Sequence, residues 1–177
     1  MSSIQLDGTH TPAKRGGEAV DYQRRKKCKT SNMLILSDSR GIPISCSEPR
    51  ARNHNHAYNL SNNVNLMLNR LKISKINTDG LFLNADAGFD TKQFRHFCFQ
   101  KDIIANICKN NRNGNQKEVV FDEKLYKRRF VIERTNAWLD AFKAILVRFE
   151  INNTLESIEF NSVYCNSNQT TLNNFNI

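Results

Sequence analysis

Residues 81–90 read LFLNADAGFD, and residues 3–8 read SIQLDG. Each begins with a short run fit for a β-strand and meets an aspartate at or just past its end. Residues 81–84 suit a buried strand with Asp86 beyond it, and residues 3–7 suit a strand closed by Asp7. In α/β sheets, ligands and metals are met where strands end. Two carboxylates delivered by neighbouring strand ends have the hard, charged oxygens that a cation such as Mg²⁺ requires.

Outward from these two stretches the pattern alternates. Residues 12–30 are polar and strongly basic, holding Lys14, Arg15, Arg24, Arg25, Lys26, Lys27 and Lys29, and are expected to form a loop. Residues 32–37 (NMLILS) and 42–47 read as an antiparallel hairpin turned at residues 38–41. Leu60, Val64, Met67, Leu68 and Leu71 recur at helical spacing. Asp90 and Thr91 are placed to cap a helix running to about Gln100, and residues 103–107 make a further strand. Residues 110–116 (NNRNGNQ) are a loop. Residues 124–149 carry the stripe Leu125, Ile132, Leu139, Phe142, Leu146 and Phe149, which predicts one long helix against the sheet. The order is strand, two strands, helix, strand, helix, strand, long helix. That is an α/β mixed sheet with flanking helices. The polar, Asn-rich tail from Asn166 adds nothing to it.

The long segment supplies a third candidate acid. Glu133 lies four residues after Arg129, so the two share a helix face, with Tyr126 and Asn136 on the same side. Asp7, Asp86 and Glu133 together suit two-metal phosphoryl transfer, in which divalent ions activate the attacking oxygen and stabilise the leaving one. Each acid also has an ordinary reading: a turn residue before glycine, a loop acid, a helix ion pair.

Composition agrees with a polyanionic partner. The 177 residues carry 26 Lys and Arg against 17 Asp and Glu, a formal charge of +9, which favours nucleic acid before an anionic membrane surface. No run of eighteen apolar residues codes a membrane span, and the start MSSIQLDGTH lacks the basic and apolar regions of a signal peptide. The five cysteines, Cys28, Cys46, Cys98, Cys108 and Cys165, include no C-x-x-C pair. That argues against a disulfide framework or a cysteine zinc site and favours a reducing cytoplasm. No Gly-x-Gly-x-x-Gly or Gly-Lys-Ser/Thr loop occurs, which disfavours nucleotide-binding enzymes of those types.

Three ordered motifs carry a resemblance. DGTHTPAKRGGEAVDYQRRKKCKTSN, NADAGFD and YKRRFVIERTNAWLDAFK resemble the three catalytic segments of bacterial insertion-sequence transposases of the Asp-Asp-Glu type. The third motif carries their Tyr-x2-Arg-x3-Glu signature on Tyr126, Arg129 and Glu133. The resemblance implies a ribonuclease H-like fold over residues 1–155, followed by a partly disordered extension over residues 156–177. It implies Asp7, Asp86 and Glu133 as catalytic and metal-binding residues and Mg²⁺ or Mn²⁺ as cofactor. The activity implied is cleavage of donor DNA and joining of its 3′ ends to a target.

Double-stranded DNA, as element ends and target, is then the partner, in the bacterial cytoplasm at the nucleoid. The expected DNA contacts are Lys14, Arg15, Arg24, Arg25, Lys26, Lys27, Lys29, Tyr126, Arg129 and Lys143. A homo-oligomer is expected when active. The wider signature ends on a lysine where this chain has Asp140, and Lys143 is the expected substitute. Relatives carry an N-terminal region that reads the element ends. The chain is therefore expected to be N-terminally truncated: a fragment, a decayed copy, or a second reading frame of a split gene, in which case an upstream-frame partner chain would supply that region. A metal-dependent nuclease that cuts without joining, and a non-catalytic DNA-binding remnant, stay open as alternatives.

The remaining candidates weigh less. His10 stands near Asp7, but hard metal sites prefer oxygen. His54 and His56 read as a polar loop, His96 as a surface residue, Trp138 as packing beside Leu139, and Asp90 as a helix cap.

Overall fold

The structure, a computed structural model, describes residues 3–15, 17–24, 27–51, 59–110 and 121–139. Its strands are β1 (Ser3–Pro12), β2 (Asp21–Gln23), β3 (Cys28–Asp38), β4 (Pro43–Cys46), β5 (Arg50–Ala51), β6 (Phe82–Ala85) and β7 (Ile104–Ile107). Its helices are α1 (Leu60–Ile73), α2 (Lys92–Gln100), α3 (Glu123–Lys127) and α4 (Phe130–Leu139), with a 3-10 turn at Ala87–Phe89. The strand order is β2-β3-β1-β6-β7, with β4 and β5 also paired to β3. β1, β6 and β7 run parallel to one another, and the pairings with β3 are antiparallel. This is the α/β, ribonuclease H-like mixed sheet with flanking helices expected from the sequence.

β1 has two characters, and its position explains both. Ser3, Ile4, Gln5 and Leu6 are fully buried, as in a strand covered on both faces. This half pairs with β6, and the pairing stops at Leu6 opposite Ala85. The second half continues only with β3, in a register running from Ile4 opposite Asp38 to Pro12 opposite Thr30. Most of it is half-buried.

The basic stretch is consequently not a loop throughout. It supplies the end of β1, all of β2 and the start of β3, and the Ala13 amide extends the ladder by donating to the Lys29 carbonyl at 2.8 Å. Thr11, Thr30 and Gln23 are buried while Lys29 and Tyr22 are exposed. Thr30 and Gln23 share one face of the ladder and Thr11 lies on the other, so buried polar and β-branched side chains suffice for a strand without an apolar stripe.

The hairpin of β3 and β4 is turned by Asp38. Its carboxylate accepts from the Arg40 and Ile42 amides, each at 2.9 Å, and from Arg40 Nε at 3.0 Å. α1 buries Leu60, Val64, Met67, Leu68 and Leu71, the residues its periodicity marks. Thr91 caps α2 by accepting from the Phe94 amide at 3.1 Å, and Phe94 and Cys98, one turn apart, are fully buried. These two helices and the strands close one core around Ile4, Leu6, Leu36, Met67, Leu83 and Phe94.

The expected single helix over residues 124–149 is interrupted. α3 ends at Lys127, Arg128 and Arg129 form a turn, and α4 restarts at Phe130; residues 140–149 lie outside the described residues. Two separate anchors account for the break. α3 is capped by Asp122, which accepts from the Leu125 amide at 2.9 Å, and it lies beside β7. α4 lies against β1 and buries Val131, Ile132 and Thr135. Leu125, on the predicted stripe, is only half-buried, so no continuous apolar seam holds the two as one rod.

Gly41 admits α4 to this seat. Its φ is +87°, and a Cβ there would stand 2.8 Å from the Val131 carbonyl oxygen. Thr135 donates its hydroxyl to the Gly41 carbonyl.

Candidate active site

The parallel register fixes the first two acids. Leu6 pairs with Ala85, so Asp7 and Asp86, each one residue further on, stand side by side where β6 ends. Asp7 does not end its own strand, since β1 continues to Pro12; it marks the point where the parallel pairing stops. Asp7 Oδ1 accepts from the Gly8 amide at 2.9 Å, and Oδ2 accepts from Asn136 Nδ2 at 3.1 Å. Asp86 is exposed, and its Oδ1 accepts from the Ala87 amide at 2.8 Å, capping the 3-10 turn.

Electrostatics tie further groups to this pair. Burial pushes the Asp7 carboxyl above the ordinary carboxylate range. The Gly8 amide, Arg129 and Asn136 work against that shift, and the Asp86 charge adds to it. Burial also raises the Tyr126 hydroxyl; Arg129 opposes the shift, and Asp86 and Cys108 reinforce it. The Arg129 guanidinium carbon lies 5.8 Å from the centre of the Tyr126 ring. Asp7, Asp86, Tyr126, Arg129 and Asn136 thus share one electrostatic neighbourhood, drawn from β1, the loop after β6, α3 and α4.

Glu133 falls differently. It is exposed, whereas the sequence placed it on the inward side. The inward side of α4 belongs to Val131, Ile132 and Thr135, and Glu133 is rotated about 100° from Ile132. It sits one turn before Asn136, beside the site. Among the described residues no group of three His, Cys, Asp or Glu side chains is close enough to hold a metal ion.

The basic residues form a separate feature. Lys14, Arg15, Arg24, Lys27 and Lys29 are exposed around the far end of the β1–β3–β2 ribbon; Arg25, Lys26 and Lys143 lie outside the described residues. Adjacent in sequence to Asp7, they are removed from it in space. Ala13 is six residues further along than Asp7, roughly 20 Å at the rise of an extended chain.

His10 is hydrogen-bonded to Asn32 across the same ribbon. Strand alternation gives it the face opposite Asp7, so it does not line the site. His96 is exposed. His54, His56, Asp140 and Cys165 lie outside the described residues, as do the side chains of Trp138 and Leu139.

Two sets of polar residues hold the site's loops in roles that the sequence reading did not assign. Asn106 Nδ2 donates to Asn84 Oδ1 at 2.7 Å and to the Asp122 carbonyl at 3.0 Å, and its Oδ1 accepts from the Asp122 amide at 2.8 Å. Asn84 Nδ2 donates to the Leu125 carbonyl at 3.3 Å. These bonds fasten α3, and with it Tyr126, to β6 and β7. A buried Asn inside each of two short apolar strands, LFLN and IANI, was the available signal.

The second set is Asp90 with Arg95. Asp90 is not the cap of α2, which is Thr91. It is buried and pairs with Arg95 Nε at 2.6 Å, and the same guanidinium donates to the Ala105 and Ile107 carbonyls at 3.2 and 2.8 Å. This clamp closes the loop that carries Asp86 onto the end of β7.

A family model described as DDE superfamily endonuclease matches residues 6–165, and the chain belongs to that family. It is a DDE-type, transposase-like nuclease domain. No curated protein matches the chain. No solved structure matches it either. No helix among the described residues is long and apolar enough to cross a membrane.

Proposed function

We propose that the chain is the catalytic domain of a DNA transposase, cutting DNA and joining the freed 3′ ends with a divalent cation. The observation that carries this reading is that Asp7 and Asp86 each stand one residue beyond the last β1–β6 pair, inside a chain of the DDE superfamily. The donor chemistry fits Mg²⁺ or Mn²⁺: two hard carboxylates stand together, one desolvated and raised by its neighbour's charge, a conflict that a cation relieves. Bound there, the cation supplies Lewis acidity and lowers the pKa of a coordinated water or 3′-hydroxyl.

The chain's own residues take the following roles. Asp7 and Asp86 hold the cation, with Glu133 as the third carboxylate from the rim of α4. Arg129, beside Tyr126 and within electrostatic reach of Asp7, receives the scissile phosphate, and the Tyr126 hydroxyl donates to a phosphate oxygen. The basic ribbon end holds duplex DNA by its backbone, roughly 20 Å from the chemistry, about six base pairs along an axis that rises 3.4 Å per pair. Such contacts position DNA without reading its sequence.

The test is a supercoiled-plasmid nicking assay run beside a joining assay with pre-cleaved 3′ ends. Asp86→Asn and Glu133→Gln should each abolish both reactions while duplex binding by fluorescence anisotropy persists. Full activity in Asp86→Asn would remove the carboxylate site. Cleavage without joining would make the chain a nuclease rather than a transposase.

A further inference from the structure

We propose that Asn136 is a further ligand of the cation site, presenting its amide oxygen beside Asp7 after a turn of the amide plane. The inference rests on the proposed cation site of Asp7 and Asp86 and adds a residue to it.

Three observations carry it. The first is distance. Asn136 Nδ2 lies 3.1 Å from Asp7 Oδ2. Two oxygens bound to one octahedral cation at about 2.1 Å stand about 3 Å apart. The amide nitrogen therefore occupies the position that a second ligand oxygen would take next to Asp7.

The second is the state of the other amide atom. Among the described residues, Asn136 Oδ1 is buried with no hydrogen-bond partner. A buried oxygen that accepts nothing is costly and calls for a reason. It also means that only the bond to Asp7 sets which way the amide faces. Oxygen and nitrogen of an amide are nearly the same size, and the last torsion of Asn is broad and two-fold. Turning the plane over exchanges the two atoms: it gives up that bond and moves the NH₂ group to the buried position the oxygen held, a cost the bond from oxygen to cation must outweigh. Without a cation the NH₂ end must face the carboxylate; with a cation between them the oxygen end is favoured.

The third is delivery. Thr135, the preceding residue, is bonded to the Gly41 carbonyl, and α4 approaches Gly41 closely enough that a Cβ there would meet Val131. The helix is thereby registered to the sheet one residue from Asn136. A neutral donor adds an oxygen without adding to the charge that Asp7, Asp86 and Glu133 bring.

The experiment titrates Mn²⁺ into the full chain and reads free Mn²⁺ by electron paramagnetic resonance, with folding checked by circular dichroism. Asp7→Asn is the reference that should lose binding. Asn136→Leu, which keeps the branched shape and removes the oxygen, should weaken Mn²⁺ binding about tenfold. Asn136→Asp, which places a charged oxygen at the same position, should tighten it about tenfold. Asn136→Ala replaces the Leu variant if that one does not fold. Parent-like binding in Asn136→Leu or Asn136→Ala, or weaker binding in Asn136→Asp, overturns the inference while the loss in Asp7→Asn keeps the cation site. A parent that binds no better than Asp7→Asn overturns both.

Discussion

Replacing Arg95 with Leu should be among the most damaging single changes outside the core. The Arg95 guanidinium makes three bonds, to Asp90 at 2.6 Å, the Ala105 carbonyl at 3.2 Å and the Ile107 carbonyl at 2.8 Å. The Asp90 side chain has no exposure, so water cannot replace the lost partner. The Asn110 amide, which donates to Asp90 Oδ2 at 2.8 Å, would remain. Removing one member of a buried pair costs about 3–5 kcal/mol, mostly through the stranded charge.

For a domain of this size that is roughly a 6–20 °C fall in melting temperature, at about 2–4 °C per kcal/mol. Urea denaturation of Arg95→Leu, Asp90→Leu and the double variant measures it as a cycle. The double variant should be more stable than the sum of the single losses predicts, because it leaves no lone buried charge. Asp86 sits on the loop this pair closes, so Mn²⁺ affinity of Arg95→Leu should also fall in the folded state. A loss below about 1 kcal/mol, the value of an exposed pair, would refute the claim that the clamp is a buried structural element.

Two further outcomes follow from the site and the ribbon. The folded-state pKa of Asp7 is raised, so folding takes up a proton between the ordinary carboxylate value and the raised one. The associated stability is present at low pH and is lost as pH rises through the folded value. Without metal, Asp7→Asn should therefore melt above the parent at neutral pH, with the gain vanishing below about pH 4; a pH-independent difference would contradict burial as the dominant cause. Duplex DNA binding should weaken steeply with salt, and replacing Lys14, Arg15 and Arg24 with Ala should flatten the log–log slope by roughly 3; an unchanged slope would take the ribbon end out of the DNA interface.

What the sequence disclosed followed from burial. α1, α2, β6 and β7 bury an apolar pattern, and periodicity located them to within a residue or two. Asp7 and Asp86 could be picked out for the same reason, since each comes directly after a buried stretch that the core defines. The second half of β1 and all of β2 were not. Their pairing rests on backbone bonds and on Thr11, Thr30 and Gln23, which look polar in a sequence and are buried in the sheet. The long helix misled in the opposite direction. A stripe from Leu125 to Leu139 is continuous on paper, but α3 is held by polar fastenings to β7 and α4 by a close seat on Gly41, and the chain turns between them at Arg128 and Arg129.

That turn bears on how the site is assembled. Tyr126 moves with α3, which Asn106 and Asn84 tie to the ends of β6 and β7. Asn136 and Glu133 move with α4, which Thr135 ties to the β3–β4 turn. Arg129 lies at the junction and answers to both. A single rod would have fixed Tyr126, Arg129, Glu133 and Asn136 as one rigid row, so that any shift seating one would displace the others. Two short helices with separate anchors let the Tyr126 side and the Asn136 side settle independently around Asp7 and Asp86. The buried amide of Asn106 suits the task because both its ends are used: Nδ2 donates twice and Oδ1 accepts once, so turning it over would sacrifice all three bonds. Asn136 holds Asp7 by one bond and leaves its oxygen unpartnered. The same residue type is therefore locked where it fastens a helix and free to turn where it meets the acid.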